Sequence, residues 1–136
     1  GWQTEALKQS LSIDGVSETG HYCYVNLSTV ESVDPIKAFE LWANGQQFKP
    51  RDFYIVGSND GVNFVKMYDN SGTNVLTNET AVGSDGETRS YSDVIDLGNS
   101  TVYSHVGIFI SSAFANSDFT AQPEWPVWIQ ELRLFK

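Results

Sequence analysis

The chain has 136 residues, enough for one domain that buries roughly two thirds of the surface its unfolded form exposes, and no second domain is required. With 40% hydrophobic and 13% aromatic residues it is globular rather than disordered, and its longest apolar runs are too short to cross a bilayer. A net charge of −9 argues against nucleic acid or membrane insertion at an anionic surface, which depend on clustered Lys and Arg, and leaves neutral ligands and cations open.

From Gly1 to Gly20 the pattern is polar and weakly periodic, with Ala6, Leu7, Leu11 and Ile13 able to support a short strand or a helical turn. Tyr22 to Leu27 reads as a strand, and the lone cysteine, Cys23, as a small buried hydrophobe within it. Pro35 marks the entry to a strand over Ile36 to Trp42, and Ala43 to Pro50 is a loop turning at Asn44-Gly45. Phe53 to Val56 is apolar on both alternating faces, as in a strand packed between a core and a second layer. It is joined to Val62–Met67 by Gly57-Ser-Asn-Asp-Gly61, residues that accept left-handed dihedrals or bond their own backbone, so a hairpin is predicted.

Tyr68 to Ser92 is a long polar region, of a length that is either functional or contains a small hairpin of its own. Val94 to Leu97 is a short strand. Tyr103 to Ile110 is a clearer one, with Val106, Ile108 and Ile110 on one face and Gly107 and Phe109 on the other. After an aromatic-rich loop over Ser111 to Pro126, alternation over Val127 to Phe135 predicts one terminal strand. About seven short strands, no helix and no long repeat imply an all-β fold, an antiparallel β-sandwich.

Gly57-Ser-Asn-Asp-Gly61 followed by Phe64 resembles the hairpin of the discoidin, or coagulation-factor type C, family, which includes the family 32 carbohydrate-binding modules. The resemblance runs through nearly all of residues 1–136. Trp2-Gln3-Thr4 is similar to the family's Trp-x-Ser/Thr element, Tyr24-Val-Asn-Leu27 to its hydrophobic-Asp-Leu strand, Tyr103–Ile110 to its late strand, and Ile129–Phe135 to its closing strand with Glu131 as the family's glutamate. It implies a discoidin-like jelly roll of the galactose-binding-domain-like type, located outside the cell or at its surface. In the family a first strand and an acidic turn precede the Trp element, so the resemblance implies that the chain is a fragment, that a parent chain or partner supplies the first strand, or that the match is shifted at the start.

Only two histidines occur, His21 and His105, neither in a spaced motif, and there is no nucleophile elbow, phosphate loop or dinucleotide fingerprint, which favours a non-catalytic role. The loop at 43–50 is a candidate sugar site. Asn44, Gln46, Gln47 and Arg51 offer amide and guanidinium groups for hydroxyls, and Trp42 and Phe48 offer flat apolar faces; the competing reading is a solvated hairpin loop with Trp42 buried. Phe114, Asn116, Phe119 and Trp125 in the 111–126 loop form a second candidate, against the alternative that the aromatics plug the end of the sandwich.

The expected partner is a glycan, with no cofactor required; the resemblance adds a structural calcium ion held in part by Glu131, against the reading of an exposed strand carboxylate. The rival function is a protein-interaction or assembly module in which the same loops or an open sheet edge receive another chain. Three Asn-x-Ser/Thr triplets, at Asn26, Asn78 and Asn99, carry little weight as glycosylation signals because such triplets arise by chance.

Overall fold

The first paired strands are short and polar, and what makes them strands is their partners rather than their own composition. In the computed structural model, which describes residues 2–4, 8–26, 34–44, 49–70, 72–82, 87–114 and 127–136, the described residues contain strands and no helix. The strands are β1 (Trp2–Thr4), β2 (Lys8–Ile13), β3 (Val16–Asn26), β4 (Ala38–Asn44), β5 (Pro50–Ser58), β6 (Asn63–Asp69), β7 (Asn78–Val82), β8 (Glu87–Tyr91), β9 (Ile95–Asp96), β10 (His105–Ala113), β11 (Val127–Ile129) and β12 (Glu131–Phe135). Five of them, in the order β10-β3-β2-β6-β5, close into a small barrel, and β12-β4-β8-β7 form an open sheet with β9 beside β4. β1 pairs with β11, Trp2 standing opposite Ile129.

One side chain from each barrel strand makes a small core: Ile13, Tyr22, Val56, Phe64 and Phe109. The opposite faces of β5 and β10 present Phe53, Ile55, Val106, Ile108 and Ile110 to a larger core shared with Phe39, Leu41 and Ala43 of β4. β5 and β10 therefore carry apolar residues on both faces because each face looks into a different core, as their sequence patterns predict. Cys23 packs against the larger core from a half-buried position, and burial pushes its thiol pKa up.

The polar opening segment yields two strands, β2 and β3, joined by Asp14-Gly15. Both residues have positive φ, 51° and 79°, the geometry of a two-residue primed turn for which Asp-Gly is suited. The predicted central hairpin instead has four residues, 59–62, between β5 and β6. The long polar region contains a hairpin of its own, β7 with β8, and the predicted terminal strand breaks at Gln130 so that β11 serves β1 while β12 serves β4.

Pairing is antiparallel except at β2 and β6, which meet in parallel through Ser12 opposite Asn63 and Ile13 opposite Phe64. This bridge comes from closing the sheet on itself and needs no helical crossover. Asp14 reinforces the seam, donating its N–H to Phe64 O at 2.9 Å and accepting from Lys66 N at 3.2 Å.

The turn at 57–61 is consumed by the scaffold. A Cβ on Gly57 would lie 2.6 Å from the Tyr103 ring, so the close approach requires glycine. Ser58 Oγ accepts from Gly61 N at 2.9 Å, and Asp60 Oδ1 accepts from Asn63 N at 2.7 Å and Val62 N at 2.8 Å. Asn59 ties this turn to the strand entering from 102–104, donating to Val102 O and accepting from Ser104 N at 2.8 Å.

Candidate functional site

The two predicted ligand loops arise at the same end of the molecule. β4 ends there and β5 begins there, while the antiparallel β10 ends beside the start of β5, Ala113 opposite Pro50 and Ser112 opposite Asp52. The register slips twice between Ile110 and Ala113, the mark of an irregular strand end. Phe114 N donates to Lys49 O at 3.3 Å, and the Lys49 ammonium lies 4.7 Å from the Phe114 ring centre. Lys49 is 7% exposed and Phe114 is 43% exposed, so a buried cation backs an open aromatic ring.

Arg51 adjoins this pair, its side chain 50% exposed and its Nε 3.9 Å from Asp52 Oδ2. That carboxylate is itself positioned, accepting from Ser112 Oγ at 2.6 Å. The Arg51 carbonyl accepts from the buried Asn70 amide at 2.6 Å, which fixes the backbone beneath the guanidinium. Phe114 meets Lys49, two residues before Arg51, and no motif announces that lysine: a lysine before Pro50 reads as a solvated loop end.

A second cluster occupies the outer face of the open sheet. Trp42 stacks on Tyr91 with ring centres 4.2 Å apart and planes 8° from parallel, while Arg133 reaches over Trp42 from the β12 side at 5.2 Å. Trp42 Nε1 donates to Glu40 Oε1 at 2.6 Å, and Arg133 Nη1 donates to the same oxygen at 3.0 Å. Trp42 therefore has a neighbour over each ring face and offers no open platform. Glu131, opposite Trp42 in the register, holds Arg133 through Nε at 3.0 Å and Nη2 at 3.2 Å. The hydrogen bond to Glu131 leads the causes that keep Arg133 more firmly protonated than an ordinary arginine.

Glu131 is thus an ion-pair partner of Arg133, and its carboxylate alone does not make a calcium site, which needs several converging oxygens. Among the described residues no group of three or more His, Cys, Asp or Glu converges as metal ligands would. Asn44 ends β4 opposite Arg89. Gln46, Gln47, Phe48, Asn116, Phe119 and Trp125 lie outside the described residues. The histidines are apart in the fold: His21 is fully buried in β3 opposite Ile110, and His105 opens β10 with Nδ1 2.8 Å from Ser104 Oγ.

Two of the Asn-x-Ser/Thr asparagines have structural work for their amides. Asn78 Nδ2 donates to Tyr91 O and Asp93, and Asn99 Nδ2 to Ile36 O and Thr101 O. Among the described residues no helix is long and apolar enough to cross a membrane. Comparison with known proteins returns no matching family model, no matching curated protein and no matching solved structure.

Proposed function

We propose that the chain is a non-catalytic glycan-binding module of the discoidin-like sandwich type, working outside the cell or at its surface and taking its ligand at the end where the 43–50 and 111–126 loops emerge. The observation that carries the reading is the Phe114 ring, 43% exposed at a strand end and backed by the buried Lys49 ammonium. An open ring of this kind is a stacking surface for sugar C–H faces, and the exposed Arg51, two residues from Lys49, supplies donors for hydroxyls. The two-core all-β architecture is compatible with a jelly roll. Calcium at Glu131 belongs to the same family-based proposal and requires further oxygens beyond that carboxylate.

Affinity is modest on this reading, because an exposed sugar exchanges water contacts for protein contacts of similar strength. A glycan array followed by titration calorimetry with the best ligand tests it. Phe114→Ala is expected to weaken binding at least about tenfold, the scale of losing one aromatic stacking contact. Trp42→Ala leaves affinity nearly unchanged, since that ring is covered. Silence across a broad sugar panel, or binding indifferent to Phe114→Ala, overturns the proposal; co-purification of a protein partner alongside such silence supports the assembly module instead.

A further inference from the structure

We propose that the edge of β12 that has no ladder partner among the described residues pairs antiparallel with the same edge of a second copy of this chain, giving a two-fold dimer whose open sheet runs continuously through both. Among the described residues β12 ends the open sheet and its one ladder partner is β4. Leu132 and Leu134 face inward against the larger core but are only partly covered, so the core is unsealed along this flank. A strand added here covers that flank and takes up the outward-pointing backbone groups of β12.

The sequence of β12 selects the partner. When a strand pairs with its own copy, centring on a residue keeps inner side chains opposite inner ones, while centring between residues turns one sheet over and exposes its leucines. Centring on Glu131 or on Arg133 sets like charges face to face. Centring on Leu132 sets Leu132 against its copy and places Glu131 opposite Arg133 of the second copy, twice, by symmetry.

Edge strands are commonly protected by charge, but here Glu131 and Arg133 neutralise one another at 3.0 Å and form no like-charged barrier. Arg133 also keeps capacity. Its Nη1 and Nη2 each have a bond to a carboxylate, and each of these nitrogens carries a second N–H. The edge strand at the other end of the sheet, β7, has no such complementarity, its one charged residue being Glu79.

Sedimentation velocity across a concentration series in about 0.15 M salt, which screens repulsion between two acidic chains, tests the dimer. The unaltered chain is expected to dimerise. Glu131→Lys makes the edge uniformly basic and Arg133→Glu makes it uniformly acidic; each is expected to weaken self-association at least about tenfold, from cross-strand pairs turned repulsive. Mixing the two variants restores association, because each edge now complements the other.

Glu131 is exposed, so a Glu131→Lys monomer whose melting temperature matches the unaltered chain isolates the edge from the fold. A monomeric unaltered chain, a Glu131→Lys variant that dimerises undiminished, or a mixture that stays monomeric overturns the proposal.

Discussion

The barrel and the open sheet meet the same requirement, covering apolar surface and backbone polar groups, in opposite ways. The barrel strands pair on both sides and enclose one side chain each, so the barrel presents no edge. The open sheet borrows its core from the outer faces of β5 and β10, leaves β7 and β12 as edges, and carries its stacked Trp42, Tyr91 and Arg133 outward. Closure makes a scaffold and openness makes a surface. The candidate ligand end lies where β4 of the open sheet leads into β5 of the barrel, and the proposed dimer edge lies on the open sheet.

Each region also has a buried polar staple. In the barrel, Asn70 accepts from Phe53 N at 2.9 Å and returns its own N–H to Phe53 O. In the open sheet, Ser92 Oγ accepts from Leu41 N at 2.9 Å while Ser92 N donates to Leu41 O. Each extends a strand's ladder with one side-chain oxygen, but Asn70 in addition spends both amide hydrogens, on Arg51 O and Thr73 O.

Four substitutions test how far the two regions differ. The largest effect is expected from Phe109→Ala, which empties the barrel's small core of a fully buried ring and should cost about 3–5 kcal/mol in denaturant unfolding. Because β5 and β10 line both cores, that loss should appear in one cooperative transition; two separated transitions would show that the regions unfold independently. Next, Asn70→Ala strands a buried Phe53 N–H and the Arg51 carbonyl and should cost about 2–4 kcal/mol, whereas Ser92→Ala strands Leu41 N–H and should cost about 1–2 kcal/mol. Equal losses by thermal melting would sink the claim that the barrel's staple bears more.

The smallest effect is at Asp60, whose carboxyl is held far below the ordinary carboxylate range by hydrogen bonds donated by the Asn63 backbone N–H and side-chain amide, then by Val62 N–H and the Ser58 hydroxyl. A depressed folded value means that this contribution is complete above the unfolded carboxyl's value of about 3.9 and is lost as pH falls from there toward the folded value. Asp60→Ala should therefore melt lower than the unaltered chain at pH 7, with the gap narrowing below about pH 4. A gap that stays constant through acid would mean that the charge plays no part in the turn.

Much of the later half of the fold was legible in sequence. Phe53–Val56 and Tyr103–Ile110 showed apolar residues on both faces, and the structure gives each face a core. The opening strands were not legible, for a physical reason. The barrel's interior buries Ile13 from β2 and Tyr22 from β3, with Leu11 only partly buried beside them, so alternation never repeats often enough to register, and β3 reaches its 11 residues by pairing with β2 and β10. The informative signal there was Asp14-Gly15, a truer two-residue turn than Asp60-Gly61. At the candidate ligand end, Arg51 and Phe114 could be named from their residue types, but Lys49 could not, since only the slipped register at Ala113 carries Phe114 over it. The neighbours of Trp42, Tyr91 and Arg133, were not legible because they lie across strands rather than along the chain.

The Asp60 turn has a consequence for the order of assembly. Its bonds join residues two or three apart, so they can form as soon as the local chain turns, before any distant segment arrives. β10 must then cross half the sequence to enter between β3 and β5, and β1 must find β11 near the opposite end. A chain so dominated by distant pairings folds slowly, on the millisecond-to-second scale, and the local turn is the natural place for its nucleus to start. The role of that loop is then kinetic as much as energetic: Asp60→Ala should slow folding more than it hastens unfolding, a partition that stopped-flow measurements would read directly.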